Sequence, residues 1–196
     1  MPGIVSGRVH NALYYPPLLN LNKLIKPDFA IFRVAELANE RIRREYATSF
    51  FNGYGTELNI FKPGRPDWIE EDYKFFGRSL MILRQNSKSF TDYRYTPLIP
   101  TLSENIWVNQ WPSDEKTIYT VFSLIPEGFD GALFEAENKP GYHWVDLWEH
   151  KEIEPLQKDG KFYIPVSTGA FHKSWLGTNN EGAITALAHF PNELDF

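Results

Sequence analysis

The chain has 196 residues, 42% of them hydrophobic, which is enough for one large domain or two small ones. It has no cysteine, which excludes disulfides, thiolate metal ligands and a cysteine nucleophile but leaves the cellular compartment undecided. The net charge is −5, and no apolar run approaches the roughly 20 residues of a membrane helix. We therefore expect neither a nucleic-acid partner nor a membrane span.

The distribution of charge divides the chain near residue 95. Residues 1–94 contain 14 Lys and Arg against 10 Asp and Glu, whereas residues 95–196 contain 6 against 15. The change coincides with a proline-bounded connector, Thr96 to Pro100. We therefore expect two segments, 1–94 and 95–196.

The first segment opens with a predicted strand and a predicted helix. A short strand over residues 4–10 places Arg8 and His10 on one face. A helix is predicted to start at Asp28 and to stop at Asn52-Gly53, because apolar residues recur at three- and four-residue spacing between them. Its arginines, Arg33 among them, are interpreted as a solvated helix face.

A second strand and a second helix complete the first segment. The strand covers residues 55–61, and the helix runs from about Asp67 to Asn86. This alternation predicts a partial β/α segment of the kind found in barrels. Two strands cannot close a barrel, so the segment needs partners.

The second segment consists of short runs rich in β-branched and aromatic residues, separated by turn residues. Strands are predicted at 106–111, 116–125, 131–136, 142–149, 161–166 and 183–190. Pro165 would confine its strand to a sheet edge. The predicted fold class is an α+β composite, in which the barrel-like segment precedes an all-β antiparallel sandwich.

This order resembles the C-terminal end of (β/α)8-barrel glycoside hydrolases, where a β-sandwich often follows the barrel and packs on it. The resemblance rests on the run from Phe50 to Glu57, which is similar to a junction into a last barrel strand, and on the aromatic run from Tyr142 to Ile153. It implies the C-terminal portion of a carbohydrate-active protein that acts on an oligosaccharide. Such enzymes have about eight β/α units, so it also implies that the chain alone is inactive. Self-association or a separate chain would complete the barrel.

Glu57 is the candidate catalytic residue. It lies in a predicted strand and shares a face with Asn59, where a carboxylate could act as acid or base. A salt-bridged or edge-strand glutamate is the alternative, because no second carboxylate of a catalytic pair is visible. Arg8 and His10 are candidates for binding a sugar hydroxyl or carboxylate, or form a structural pair near the N-terminus.

The tryptophans of the second segment could stack on sugar rings. Alternation on a strand places two sets of side chains on common faces: Trp107, Asn109 and Trp111, and Trp144, Asp146 and Trp148. Trp107 and Trp144 are therefore candidate substrate-binding residues. Packing in the core or between domains is the alternative, because large aromatics dominate such contacts.

The histidines after residue 100 are scattered and lack the spacing of metal ligands, so neither a metal nor a cofactor is expected. A second function from another class also fits the sequence. In it, the chain is a non-catalytic module that binds glycan or a protein, with its helices covering one side of a β-sandwich.

Overall fold

Three β-sheets and a layer of helices build the part of the chain that the computed structural model describes, namely residues 6–9, 21–37, 43–60, 69–171 and 182–194. The first sheet is parallel and consists of β1 (Ser6–Val9), β2 (Ala30–Leu37) and β3 (Gly55–Ile60), in that order. The helices in the described ranges are α1 (Leu21–Ile25), α2 (Arg43–Phe51), α3 (Ile69–Gln85) and α4 (Ser87–Phe90). No helix within these ranges is both long and apolar enough to cross a membrane.

The second half of the chain forms two antiparallel sheets, as the sequence predicted. Its strands in the described ranges are β4 (Thr96–Ile99), β5 (Ile106–Pro112), β6 (Thr117–Ser123), β7 (Phe129–Ala136), β8 (Tyr142–Asp146), β9 (Lys151–Ile153), β10 (Leu156–Lys158), β11 (Lys161–Thr168) and β12 (Ala183–Pro191). Six strands pair in the order β4-β5-β6-β12-β8-β9, and three pair in the order β10-β11-β7. No described strand closes the parallel sheet into a barrel.

An apolar core joins the two antiparallel sheets. Val108 and Val121 of the six-stranded sheet are fully buried in it, together with Leu133 and Ile164 of the three-stranded sheet. Alternation along each strand sends every second side chain into this core. The two sheets therefore form a sandwich, and the outer face of the larger sheet is left for the helices.

Helix α2 fills the space between the parallel sheet and the six-stranded sheet. Its side chains from Glu45 to Phe51 are all buried. Phe51 and Phe50 join a cluster that contains Phe122 of β6, while Tyr46 packs in a separate cluster with Leu58 of β3. The helix ends as predicted, at Asn52-Gly53, where Gly53 has a φ of +64° that favours glycine.

The predicted helix from Asp28 is wrong in its first half, which is strand β2. Ile31, Arg33 and Val34 are all at most 5% exposed, so β2 is covered on both faces and shows no simple alternation. Arg33 is not solvated. It forms a buried ion pair with Glu45 of α2, and its Nε lies 3.2 Å from the Oε2 atom of that glutamate.

Four further details of the strand prediction are corrected by the structure. The connector from Thr96 to Pro100 contains β4, and β9 and β10 were missed because each has three residues. The strand predicted to extend to residue 149 ends at Asp146. Pro165 lies in β11, the middle strand of its sheet, but β10 pairs only as far as Tyr163 and the register against β7 shifts at the proline. The missing N–H of Pro165 therefore removes no hydrogen bond between β10 and β11.

Candidate functional site

The face of the parallel sheet that points away from α2 gathers three of the predicted site residues. Arg33 reaches α2 through Glu45, so its neighbour Val34 points to the opposite face. Val34 is paired in register with Glu57, and Asn59 follows two residues later on the same face. The register of β1 places Arg8 beside Phe32, which also belongs to this face.

Glu36 is a second carboxylate position on this face. It lies in β2 two residues after Val34 and is paired in register with Asn59, so it is a diagonal neighbour of Glu57 on the adjacent strand. From the spacing and rise of strands, the Cα atoms of Glu36 and Glu57 lie about 8 Å apart.

Sequence reasoning missed Glu36 because it placed this residue in a helix. Had β2 been recognised as a strand, alternation from Val34 would have put Glu36 beside Asn59. Glu57 and Asn59 are partly exposed. For Arg8 and Glu36 only the backbone is described, and His10 lies outside the described residues.

Trp107 and Trp111 lie on the helix-facing side of the six-stranded sheet, on one face with Asn109 as predicted. Trp111 is fully buried, stacks on Tyr95 at a ring distance of 4.0 Å, and donates a 2.8 Å hydrogen bond from Nε1 to the Thr120 hydroxyl. Trp107 is partly buried and stacks on Phe122. Packing is the role that these contacts support, rather than sugar stacking.

Trp144 and Trp148 do not share a face. Trp144 is 3% exposed and lies inside the sandwich, against Tyr119 and Phe134. Trp148 follows the end of β8 and packs on the helices, at ring distances of 5.9 Å from Phe50 and 5.3 Å from Phe75. The Asp146 carboxylate makes this turn by accepting a 2.8 Å hydrogen bond from the Trp148 amide.

A cleft of about 530 Å³ opens at one end of the sandwich, where Trp144 forms part of the wall. It exists because the three-stranded sheet leaves part of the six-stranded sheet uncovered. Gln110, Tyr119 and His189 line the floor, and Glu135 and Lys139 belong to the wall formed by β7 and the loop after it. We call this cavity the end cleft.

The floor of the end cleft is formed by side chains that contact one another and carry little net charge. His189 stacks on Trp144 at a ring distance of 4.3 Å, and burial, reinforced by Lys139 and His143, lowers its pKa to about 4. The imidazole is therefore neutral near pH 7. The Gln110 amide nitrogen lies 3.3 Å from the Tyr119 hydroxyl. Sequence reasoning missed this site, since the scattered histidines gave no signal.

The charged groups around the end cleft are of both signs. Lys139 lies over the Tyr142 ring at 3.7 Å, and Glu135 pairs with Lys161 at 2.7 Å. Lys116 is partly buried, and desolvation lowers the pKa of its ammonium group. Among the described residues, no group of three or more His, Cys, Asp or Glu side chains could hold a metal ion.

The fold is similar to that of solved glycoside hydrolase structures. An α-amylase from Anoxybacillus, described as giving insight into a new glycosyl hydrolase subclass, aligns with a TM-score of 0.50 and 12% identity over 86% of this chain and 41% of its own. AmyP in complex with maltose aligns with a TM-score of 0.51 and 10% identity over 85% of this chain and 42% of its own.

At these identities the similarity concerns the fold alone. This chain spans about two fifths of the length of either structure. No protein-family model and no curated protein sequence matches it. This chain therefore shares its fold with part of each of these two structures.

Proposed function

We propose that the chain is the C-terminal portion of a carbohydrate-active, glycoside-hydrolase-like protein. Residues 1–94 would supply the last β/α units of a barrel, and residues 95–196 the sandwich domain that packs on it. The parallel sheet, the buried α2 between the sheets and the similarity of fold support this reading.

The observation that carries the proposal is the shared face of Glu36, Glu57 and Asn59. In a (β/α)8 barrel the helices lie outside, so the sheet face away from α2 would be the barrel interior. Glu36 and Asn59 are the second-last residues of their strands, and catalytic groups of barrels lie at the C-terminal strand ends. Two glutamates and an asparagine at neighbouring positions of one sheet face would suit the hydrolysis of a glycosidic bond.

The chemistry needs one carboxylic acid and one carboxylate. The acid donates its proton to the leaving-group oxygen while the carboxylate either attacks the anomeric carbon or activates a water. Glu36 and Glu57 would divide these roles, and Asn59 would bond a sugar hydroxyl. Arg8, on the same face, would add a guanidinium group whose paired N–H groups can donate hydrogen bonds to a hydroxyl or to the carboxylate of an acidic sugar.

The isolated chain is expected to be inactive, because the described parallel sheet has three of the about eight strands of a barrel. Incubating the homogeneous 196-residue monomer with a panel of aryl glycosides and oligosaccharides tests this expectation. Clear turnover by the monomer would contradict it.

The catalytic part of the proposal is tested on the assembly that completes the sheet, isolated through a tag on this chain. Glu36→Gln and Glu57→Gln keep the shape of the side chain but remove the titratable group. Each should lower kcat by at least about 100-fold, the usual contribution of general acid–base catalysis. Glu104→Gln, in an exposed position of the sandwich, is the matched control. Unchanged kcat in both test variants would refute the assignment.

A non-catalytic glycan-binding or protein-interaction module is the second candidate. The end cleft favours it, because a cavity of about 530 Å³ with converging polar groups has the size of a small-molecule site. Saturable glycan binding by the chain, together with an inactive tagged assembly, would favour this candidate over the first.

A further inference from the structure

We propose that the end cleft is a binding site for a short neutral saccharide, a mono- or disaccharide, separate from the sheet face that carries Glu36 and Glu57. The inference rests on the carbohydrate-related part of the proposed function and adds a site on the sandwich.

The size and origin of the cavity suit a small ligand. Ligand sites usually measure about 300 to 1,000 Å³, and the end cleft measures about 530 Å³. Its floor belongs to three neighbouring strands, with Gln110 on β5, Tyr119 on β6 and His189 on β12. Groups fixed on a paired sheet stay in place without ligand, which lowers the entropy cost of binding.

The floor matches the hydrogen-bonding pattern of hydroxyl groups. A sugar hydroxyl donates one hydrogen bond and accepts others, so it needs neutral partners of both kinds. The neutral imidazole of His189 has one donor and one acceptor nitrogen, and the amide of Gln110 and the hydroxyl of Tyr119 each offer both functions. Stacking on Trp144 fixes the plane of the His189 ring.

The rim disfavours anionic ligands. Its lining has four carboxylate residues, Asp114, Glu115, Glu135 and Glu137, against two lysines, Lys116 and Lys139. No arginine lines the end cleft, and the Arg94 guanidinium next to it donates a 2.8 Å hydrogen bond to Asp114 of the rim. The same carboxylates and ammonium groups can accept from or donate to neutral hydroxyls.

The test is a titration of the isolated chain with glucose, galactose, xylose, maltose and cellobiose. Tryptophan fluorescence and the imidazole NMR signals of His189 are followed, and inorganic phosphate and acetate serve as charged probes. At least one sugar should give a saturable change with a Kd below about 10 mM. No saturable change with any of the five sugars, or an equal response to phosphate, would overturn the proposal.

Substitutions locate the site. Gln110→Ala and Lys139→Ala should each weaken the Kd by about 10-fold, the effect of one lost hydrogen bond. Lys139 is exposed on a loop, so this variant is expected to fold even if Gln110→Ala does not. Lys151→Ala, on an exposed position of β9, is the control and should bind normally. Unchanged affinity in the Lys139 variant would place the sugar elsewhere.

The closing comparison separates this inference from the catalytic proposal. Glu57→Gln should leave sugar binding in the end cleft unchanged, although it should abolish turnover by the tagged assembly. Loss of turnover without binding in the cleft refutes only the saccharide site. Binding in the cleft by an assembly that never hydrolyses glycosides refutes only the catalytic assignment.

Discussion

The side-chain amide of Asn109 donates a 2.9 Å hydrogen bond to the main-chain carbonyl of Phe51, the last residue of α2. The Thr120 hydroxyl donates to the same oxygen at 2.8 Å. The last carbonyls of a helix lack partners within the helix. The six-stranded sheet supplies these partners, so it fixes the C-terminal end of α2 and links the two halves of the chain.

Asn109→Ala should destabilise the protein by about 2 kcal/mol. A second hydrogen bond of this side chain explains the size of the expected loss. Its Oδ1 accepts a 3.0 Å hydrogen bond from the backbone amide of Leu98, a residue with a φ of +51°. The variant leaves this amide unsatisfied in a strained stretch of β4. Urea unfolding measures the change, with the exposed Asn138→Ala as control. Equal midpoints in the two variants would show that the contact contributes little.

The sequence predicted the sandwich better than the β/α segment, and the reason is physical. Strand β6 is a nearly continuous run of β-branched and aromatic residues, and four of the seven residues of β5 are of these types, a composition that predicts a strand. Strand β2 contains Arg33, whose burial depends on Glu45, a residue 12 positions later. The spacing of apolar residues along the sequence cannot show that Arg33 has a buried partner in Glu45.

The missed site residue follows from the missed strand. Glu57 and Asn59 could be proposed from the sequence because β3 alternates clearly after a glycine turn. Glu36 was hidden because helical spacing from Tyr46 and Phe50 extends backwards through β2. The end cleft was invisible because it arises from two sheets of unequal width, a property of strand pairing and not of any motif.

Breaking the buried ion pair between Arg33 and Glu45 should strongly destabilise the chain. Both side chains are at most 2% exposed, so removing one leaves the other charge buried without this partner. Arg33→Met and Glu45→Gln should each cost about 3 to 5 kcal/mol. Urea unfolding of each variant measures the loss.

The double variant supplies the control for this prediction. If the pair acts as a unit, Arg33→Met combined with Glu45→Gln should cost clearly less than the two single changes added together. Additive losses would mean that each residue stabilises the fold through other contacts.

His189 should make stability depend on pH. Its pKa is about 4 in the folded chain against an ordinary 6.5, so the unfolded state binds the proton first as the pH falls. Stability is therefore retained above about pH 6.5 and falls between about pH 6.5 and 4. Each pKa unit is worth about 1.4 kcal/mol. Because His189 is only partly buried, we expect a loss of about 1 to 2 kcal/mol.

The His189→Gln variant isolates this effect. Urea unfolding of both proteins at about pH 7 and about pH 4.5 gives two differences in stability. Asp146, whose pKa is raised by burial, titrates in both proteins and cancels in the comparison. The natural chain should lose more stability than the variant, and equal losses would rule out His189 as the source.

Helix α1 should drive self-association of the isolated chain. Leu21, Leu24 and Ile25 are 58%, 50% and 85% exposed, while Lys23 points inward and donates to the carbonyl of Phe90. The buried lysine therefore fixes the helix with its apolar side chains outward, as expected for a surface that neighbouring barrel units would cover.

Light scattering should give a mass that rises with concentration. Ile25→Glu should lower it towards the monomer, because a carboxylate in an apolar contact is costly. Leu156→Glu, at a 48% exposed position of β10, is the matched control and should leave the mass unchanged. The opposite result, in which Leu156→Glu dissociates the oligomer and Ile25→Glu does not, would mean that copies of the chain associate through the edge of the sandwich. The exposed apolar side chains of α1 would then not drive association.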